Sequence, residues 1–388
     1  AAMSQPSSLQ TWTLTDVERD VCHADFEVKT AGDFSIRTRT LHGGLREGVE
    51  VVEVDNGCLR FTIVPTRGMG LWRLWRGELE LGWPSPVKGP VHPKFVPVAE
   101  HSGIGWLSGF DELLCRCGLE SNGAPEWGPD GRLVHPLHGR IANLPAHQVV
   151  ATFDSATGLL TVRGVVDEAR LFGNNLRLTS TFSTQLGKPR LTIVDEIENI
   201  SARPAELELL YHINLGPPLA TAGSHIDVPV ATMAPKDAHS ARDLAVWQTY
   251  PPEQTGVQET VLFFELATDA EGRTGVLLAD PAGQNGVGLR FNRRQFPYFT
   301  LWKNPQALVD GYCTGLEPCI NFPNTKSFEQ AHGRVAVLAP GESRRFEIEI
   351  EVHDTAETLC QAREASAQWQ RGTQPKIHDR ARPDWSPQ

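Results

Sequence analysis

The feature that most constrains the fold of this chain is the alternation of apolar and polar residues along several segments. The pattern is clear at residues 59–64, 176–182, 190–197 and 345–352. A period of two residues is typical of antiparallel β-strands that turn one face to a core and the other to water. Turn-forming sequences such as Asp55-Asn56-Gly57 separate these segments. The sequence therefore predicts an all-β fold, a large antiparallel β-sandwich.

Helical patterns are few. Residues 354–357 resemble a capping box, which predicts a helix to about Trp369 with Gly372 as its stop signal. Strands and helices do not alternate in a regular way, so a doubly wound α/β fold is disfavoured. No internal repeat or flexible linker divides the 388 residues. We therefore expect a single domain with a few short helices, and extended arms at about 1–14 and 373–388.

The overall charge argues against two classes of partner. The chain has 36 Lys and Arg residues against 47 Asp and Glu residues, a net charge of −11 without a basic cluster. Phosphate binding depends largely on Lys and Arg, so neither nucleic acid nor an anionic membrane is expected as a partner. No apolar run approaches the length of about 18 residues that a membrane span needs. The oligomeric state does not follow from these features.

The cysteines and the first residues of the sequence indicate the cellular compartment in which we expect the protein. The seven cysteines form no small disulfide-rich pattern. No basic stretch followed by an apolar segment opens the sequence, as a secretory signal would require. We therefore expect reduced thiols and a cytoplasmic protein.

The cysteine and histidine motifs do not match a metal site. Cys115 and Cys117 are separated by one residue, whereas a zinc knuckle has two. Pro136 lies between His135 and His138, so a helix cannot place these two imidazoles one turn apart. Residues three apart on a strand face opposite sides. The sequence therefore predicts no metal and no other cofactor.

Two histidines are candidates for a binding cleft. His138 and Arg140 belong to a proline- and glycine-containing turn that would present both side chains into a cleft, although a hydrogen-bonded polar turn explains these residues alone slightly better. His212 ends the strongly apolar run 207–211, a position suited to the rim of a cleft. A hydrogen-bonded core histidine is the alternative for His212.

A carboxylate and an aromatic segment complete the set of candidates. Glu317 lies in an apolar context before Pro318. Buried Glu is rare unless it is paired or functional, and desolvation would raise its pKa towards that of a useful base. Trp302 and Lys303 follow further aromatic residues, and aromatic rings with a few charged groups suit a sugar site. The alternatives are a structural ion pair for Glu317 and a hydrophobic strand from which Lys303 extends to solvent.

Several short motifs occur in a fixed order over roughly residues 64–324. They are Val64-Pro65-Thr66-Arg67-Gly68-Met69-Gly70, Cys117-Gly118-Leu119, Leu137-His138-Gly139-Arg140 with Asn143-Leu144-Pro145-Ala146, Tyr211-His212-Ile213-Asn214-Leu215, Leu301-Trp302-Lys303 and Gly315-Leu316-Glu317-Pro318. Each motif is weak alone. As an ordered set they resemble the aldose 1-epimerase (galactose mutarotase-like) superfamily, and within it a bacterial aldose 1-epimerase-like branch.

The resemblance implies a β-supersandwich with a sugar cleft on one face. It implies that one Glu acts as general base and one His as general acid, roles that fall on Glu317 and His212. It implies that His138 binds the substrate. The substrate arginine of the family is matched by Arg67 in its motif and by Arg116 in its position along the chain. Trp302, Lys303 and Arg140 are expected to bind substrate as well.

The activity implied by the resemblance is exchange of sugar anomers. Opening the hemiacetal ring removes a proton from the anomeric hydroxyl and gives one to the ring oxygen, so acid–base groups suffice and no cofactor is needed. Arg67, Arg140 and Lys303 would favour an anionic sugar such as a uronate, a sulfo-sugar or a sugar phosphate. A non-catalytic sugar-binding protein or sensor remains an alternative, as does an isomerase or lyase acting on an unusual sugar. A glycosidase would need two opposed carboxylates, and only Glu317 is well placed.

Overall fold

The computed structural model describes residues 8–387. Strands dominate this part of the chain. In chain order they are β1 (Leu9–Asp16), β2 (Val21–Cys22), β3 (Glu27–Lys29), β4 (Ser35–Thr40), β5 (Glu50–Asp55), β6 (Leu59–Val64), β7 (Gly70–Arg76), β8 (Leu79–Leu81), β9 (Leu114–Leu119), β10 (Glu126–Trp127), β11 (Leu133–His135), β12 (Gln148–Asp154), β13 (Leu159–Glu168), β14 (Leu176–Gln185), β15 (Arg190–Asn199), β16 (Ala205–Leu215), β17 (His225–Asp227), β18 (Val230–Pro235), β19 (Thr260–Leu266), β20 (Arg273–Ala279), β21 (Gly286–Asn292), β22 (Tyr298–Asn304), β23 (Cys313–Cys319), β24 (Ala336–Leu338), β25 (Ser343–His353) and β26 (Lys376–Ile377). The α-helices are α1 (Glu100–Gly103), α2 (Lys326–Ala331) and α3 (Ala356–Gln370).

Two large sheets contain all but two of these strands. The first has ten strands in the order β17-β20-β21-β25-β15-β14-β13-β12-β1-β2. The second has fourteen, twelve of them in the order β26-β18-β19-β22-β23-β16-β9-β7-β6-β5-β4-β3, with β24 beside β16 and β8 beside β7. Strands β10 and β11 form a separate hairpin. The strand pairs are antiparallel except for β26 beside β18, which confirms the predicted all-β sandwich.

The predicted alternation corresponds to strands that are buried on one face. In β14 every second side chain from Leu176 is buried, and the residues between them are partly exposed. Strand β16 is different, because almost every residue from Ala205 to Leu215 is buried. It pairs with β23 and β9, and its first three residues also pair with β24. Strand β16 is therefore covered on both faces, and only one of them belongs to the core between the sheets.

The core lies between the two sheets. One continuous apolar cluster joins Val162 and Phe182 of the ten-stranded sheet to Leu209, Ile213 and Phe264 of the fourteen-stranded sheet. Burial of this kind contributes about 25 cal/mol per Å² of apolar surface and is the main source of stability.

A polar network also crosses this core. Arg116 on β9 donates to Asp195 on β15 at 2.5 Å and to Ser180 on β14 at 2.7 Å. The hydroxyl of Tyr211 donates to the same Asp195 carboxylate. Arg116 is therefore a bridge between the sheets.

The helix and the chain ends were also predicted. Helix α3 begins after Thr355, whose hydroxyl accepts a hydrogen bond from the amide of Thr358 at 3.2 Å, so the cap lies one residue after the start of the predicted capping box 354–357. Residues 1–7 of the expected N-terminal arm lie outside the described part of the chain, and the following strand β1 pairs with β12. In the expected C-terminal arm, Trp385 packs against Phe322 beside the fourteen-stranded sheet. Between residues 8 and 387, no helix combines the length and the apolar character that crossing a bilayer requires.

Candidate active site

Strand β16 positions the first candidate catalytic residue. Leu209, Tyr211 and Ile213 point into the core between the sheets, whereas Leu210 belongs to a second apolar cluster on the opposite face. His212 lies on that opposite face because successive side chains alternate. The register of β16 with β23 pairs Ile213 with Leu316. This register places Glu317 directly across from His212.

His212 and Glu317 are in contact. The Nε2 atom of His212 is 3.1 Å from Oε1 of Glu317, and the two residues are 5% and 2% exposed. The two atoms are at ion-pair distance, and Oε1 of Glu317 has no hydrogen-bond partner within residues 8–387. A substrate oxygen that reaches this point would meet both groups at once.

Burial shifts the pKa values of the pair in opposite directions. It raises the pKa of Glu317 well above its usual value, with a further increase from Glu259 that Lys236 opposes. It lowers the pKa of His212 to about 3, and nearby His138 adds to that effect. Desolvation disfavours the charged form of each group. Burial therefore favours the neutral form of both groups.

Asn214 is the direct neighbour of His212 on the same strand face. Its side-chain oxygen contacts Nδ1 of His212. Its amide nitrogen donates to the backbone carbonyl oxygens of Glu112, at 3.0 Å, and of His212, at 3.1 Å. The side chain of Asn214 is fully buried. The imidazole orientation is thus fixed from the side away from Glu317.

The His138 turn brings a second imidazole to the site. His138 adopts a left-handed backbone conformation, with φ of 59°. Its Nδ1 donates to the backbone carbonyl of Asn122 at 2.8 Å, which leaves Nε2 free to accept a hydrogen bond. The two imidazole centroids, of His138 and His212, are 5.5 Å apart. Burial lowers the pKa of His138 to about 4, so this ring is also neutral near pH 7.

Aromatic rings surround the two imidazoles. The ring centroid of Trp106 is 4.6 Å from that of His138, and those of Phe110 and Trp302 are 5.1 Å and 5.5 Å from that of His212. The indole N–H of Trp106 is buried without a hydrogen-bond partner. Such a donor is rare in a folded protein because an unmade buried hydrogen bond is unfavourable. A bound hydroxyl oxygen would satisfy it.

Four buried cysteines lie on the same sheet face. They are Cys115, Cys117, Cys313 and Cys319, and all four are free thiols. Burial raises the pKa of the Cys117, Cys313 and Cys319 thiols, so these remain neutral. No group of three or more His, Cys, Asp or Glu side chains within residues 8–387 could hold a metal ion. The four cysteines therefore form a weakly polar surface on one side of the site.

The lack of a side chain at Gly315 leaves room for the His212–Glu317 pair. A Cβ atom at this position would overlap Oε1 of Glu317 and would lie 3.1 Å from Cε1 of His212. We predict that Gly315→Ala lowers turnover of any substrate of this pair by about 100-fold, because a displacement of about 1 Å is enough for such a loss. Anomer exchange measured by NMR would check this.

Gly288→Ala is a matched control for the Gly315 variant. A Cβ at Gly288, in the other sheet, would meet its nearest atoms only at 3.7 Å and 3.8 Å. Equal activity of Gly315→Ala and wild type would show that the two side chains need not meet in this geometry.

Arg67, a predicted substrate-binding residue, is fully engaged by the protein. Its guanidinium pairs with Glu112. It also donates to Asn143 at 2.8 Å and to the carbonyl oxygens of Val91 and Gly109, both at 3.0 Å. Its side chain is 1% exposed. In this structure Arg67 supports the segment that carries Phe110 and Glu112, and its charge is not offered to the cleft.

The other predicted cations also lie away from the pair. Lys303 lies on the opposite strand face from Trp302, where its ammonium donates to the carbonyl of Thr249 at 3.0 Å and lies over the ring of Tyr250. Burial lowers the pKa of Lys303 to about 7. Arg140 is exposed and lines a separate surface cavity. Of the predicted substrate-binding residues, His138 and Trp302 are therefore the two that the structure brings to His212.

Several residues of the site were not predicted from the sequence. They are Trp106, Phe110, Asn214, Gly315 and Lys236. Asn214 and Gly315 have a visible signal, since each lies two residues from a predicted catalytic residue on the same strand. Trp106 and Phe110 come from a segment of short 3-10 turns around Gly105–Gly109 that has no periodicity. Nothing in the sequence connects Lys236 with Glu317.

Comparisons with known structures agree with this fold. A crystal structure of a protein from Klebsiella pneumoniae subsp. pneumoniae, provisionally named an aldose 1-epimerase, has a TM-score of 0.92 and 29% identity over 95% of this chain and 98% of that one. A similarly named protein from Escherichia coli K12 has a TM-score of 0.54 and 16% identity over 79% of this chain and 99% of that one. A galactose mutarotase-like protein from Clostridium acetobutylicum has a TM-score of 0.55 and 14% identity over 83% of this chain and 99% of that one. The last two show the fold alone.

These neighbours confirm the predicted resemblance to the aldose 1-epimerase (galactose mutarotase-like) superfamily. No curated protein matches the chain in sequence. One family model, the domain of unknown function DUF4432, matches residues 46–352. Because this match covers well over half of the sequence, the chain belongs to the DUF4432 family.

Proposed function

We propose that this chain is a cofactor-independent aldose 1-epimerase, which interconverts sugar anomers by opening and reclosing the hemiacetal ring. The observation that carries the proposal is the contact of 3.1 Å between His212 and Glu317 in a nearly closed aromatic site. A sugar-binding protein or sensor needs no buried pair of acid–base groups in contact. The pair therefore favours catalysis over binding alone.

The reaction needs two proton transfers at oxygens bonded to the same carbon. One group of the pair takes the proton of the anomeric hydroxyl, and the other gives a proton to the ring oxygen. The bond from the anomeric carbon to the ring oxygen breaks while the carbonyl group forms. After rotation about the neighbouring carbon–carbon bond, the same transfers in reverse close the ring on the other face. Adjacent groups can serve both oxygens, because a single carbon joins them.

The remaining polar groups are suited to sugar hydroxyls. Nε2 of His138 is a free acceptor, and the indole N–H of Trp106 is a free donor beside it. Phe110 and Trp302 supply apolar faces for the C–H groups of a pyranose. The partners of Arg67 and Lys303 are protein groups. An uncharged aldose is therefore the substrate class that we propose in place of an anionic one.

Exchange NMR on a panel of sugars tests the proposal. The panel consists of neutral aldohexoses and aldopentoses, a hexuronic acid and a hexose 6-phosphate. We expect catalysed exchange between the α and β signals of at least one neutral sugar. Catalysis confined to a charged sugar would overturn the substrate class. Saturation transfer to a sugar whose anomers are not exchanged faster would overturn catalysis in favour of the sensor.

Trp106→Phe tests the proposed hydroxyl contact. This change removes the indole N–H but keeps an aromatic ring, so we expect kcat/KM for the best sugar of the panel to fall about 5- to 10-fold, the size of one neutral hydrogen bond. Deoxy analogues of that sugar, measured with both proteins, locate the hydroxyl. For the analogue that lacks it, wild type and variant should be equal, and a constant ratio across all analogues would exclude the contact.

A further inference from the structure

We propose that Glu208 is a positioning residue for the sugar site: through the backbone of Asn122 it holds the His138 imidazole in place beside His212. The effect of Glu208 on sugar binding rests on the proposed function. Its hold on the imidazole is a property of the protein and can be measured without a sugar.

Glu208 lies on the same sheet face as His212. It is four residues earlier on β16, and side chains on a strand return to the same face at every second residue. Between the two, Leu210 pairs with Cys319 of β23. One step further along this face, the side-chain amide of Asn321 donates to Oε1 of Glu208 at 3.0 Å. Four residues of strand span about 13 Å, so Glu208 does not itself touch His212.

Both carboxylate oxygens of Glu208 are occupied. While Oε1 accepts from Asn321, Oε2 accepts from the backbone amide of Asn122 at 3.0 Å. The side chains of Asn122 and Asn321 also exchange two hydrogen bonds, at 2.9 Å and 2.8 Å. All three residues are fully buried. Displacing any member of this cluster would leave a buried polar group unpaired, so the backbone of Asn122 is held at one position.

The backbone of Asn122 links this cluster to His138. Its N–H donates to Glu208, and its carbonyl oxygen accepts from Nδ1 of His138 at 2.8 Å. The backbone of His138 is tied to the same region, since its N–H donates to the carbonyl of Gly123 at 2.9 Å and its carbonyl accepts from the amide of Gly118 at 3.1 Å. A carbonyl acceptor requires Nδ1–H in either charge state of the ring, so this contact does not depend on titration.

The carbonyl of Asn122 is the main polar anchor of the imidazole. Within residues 8–387 it is the one hydrogen-bond partner of the His138 side chain. The ring contacts with Trp106 and His212 fix a distance but not the direction of a ring nitrogen. Loosening Asn122 should therefore move Nε2 of His138 away from a sugar hydroxyl while the His212–Glu317 contact remains. Glu208 should control substrate affinity and not the chemical step.

Glu208→Gln tests the positioning role. The two oxygens of Glu208 face two N–H donors, so an amide group at this position must turn its own N–H₂ towards one of them, and a hydrogen bond is lost. We expect KM for the best sugar of the panel to rise about 5- to 10-fold, the size of one hydrogen bond, with kcat nearly unchanged. A loss confined to kcat would overturn the inference.

Nitrogen-15 and proton NMR of the histidine side chains give a second readout that needs no sugar. The His138 signals are assigned by their loss in His138→Leu. In Glu208→Gln the Nδ1–H proton of His138 should exchange with solvent at least about 10-fold faster than in wild type, because its acceptor opens more often. An unchanged exchange rate would overturn the inference. A faster rate in a protein that exchanges no sugar would refute the proposed function alone.

Glu168→Gln is the matched control. Glu168 is also buried, and it accepts from two backbone amides of the same segment, those of Leu119 and Glu120, at 3.0 Å and 2.9 Å. This change should lower stability, as Glu208→Gln does, but leave KM and the His138 signals as in wild type. Equal effects of the two variants on KM and on these signals would reduce Glu208 to a structural role.

A double variant identifies the residue through which Glu208 acts. His138→Leu removes the Nε2 acceptor itself. Because Glu208 acts through this ring, adding Glu208→Gln to His138→Leu should cause no further rise in KM. A rise equal to that of Glu208→Gln alone would show a separate route to the site and overturn the inference.

Asn321→Ala provides the same test if Glu208→Gln does not fold. It leaves the Glu208 carboxylate in place but removes the donor at Oε1 and the amide partner of Asn122. KM should rise about 2- to 3-fold, the lower end for one hydrogen bond, and the His138 Nδ1–H proton should exchange faster. Wild-type values for both would overturn the inference.

Discussion

Replacement of Glu317 by glutamine should lower anomer exchange by about 10²- to 10⁴-fold, the usual contribution of a positioned acid–base group. Glutamine has the shape of glutamic acid but cannot transfer a proton at neutral pH. Its amide can still contact His212, so sugar affinity should change much less than kcat. The measurement is exchange NMR on the best sugar of the panel, together with a binding isotherm for the same sugar.

Glu168→Gln is the matched control for the Glu317 variant. Glu168 is also a buried glutamate in a strand, and its two carboxylate oxygens accept hydrogen bonds from the amides of Leu119 and Glu120 at 3.0 Å and 2.9 Å. The change should affect stability but leave exchange close to that of wild type. A folded Glu317→Gln protein with the wild-type rate would remove Glu317 from the mechanism.

Arg67→Met should destabilise the fold by about 3–5 kcal/mol, the usual effect of removing one partner of a buried ion pair. Glu112 would remain as an unpaired buried carboxylate. The midpoint of urea unfolding should fall at constant slope, because the surface exposed on unfolding does not change. An unchanged midpoint with a raised KM would instead make Arg67 a substrate ligand.

A double variant separates the ion pair from the site. Arg67→Met combined with Glu112→Leu removes both charges and should recover most of the lost stability, since a hydrophobic replacement of a buried pair is often neutral. The backbone carbonyl of Glu112 would still accept from Asn214. We therefore expect catalysis to return with stability, and a stable but inactive double variant would argue against a purely supporting role for Arg67.

The strands could be predicted because their signal is local. Alternation in β14, β15 and β25 reports burial on one face, whereas β6 is buried on both faces after Arg60, and each of these four strands was expected. Strand β16 has no alternation, since a second layer covers the face that carries His212. Neither the chain length nor the acidic net charge predicts that second layer. It consists of segments that are distant from β16 in the sequence.

The site could be predicted only in part, for geometric reasons. Trp302 and Lys303 are adjacent on a strand, so they cannot both face the same cleft, and the structure places Trp302 with His212. Arg67 was proposed from its motif, but its partner Glu112 lies 45 residues away, where no local pattern reveals it. Trp106 reaches the site from an irregular segment. Contacts of this kind are decided by tertiary packing, which a single sequence does not display.

Because His212 and Glu317 lie on β16 and β23, their backbone should open on a slower time scale than the surface segments near them. Amide hydrogens in the middle of a fourteen-stranded sheet exchange with solvent mainly through global unfolding, whereas surface segments open locally and often. The segment before Trp106 is of the second kind, with His101 and Ser102 both in the left-handed backbone region. Under the proposed function, we expect a sugar to reach the buried pair through motion of this segment, which leads into Trp106 beside His138. On that expectation, the acid–base pair keeps its geometry while the irregular segment beside it moves.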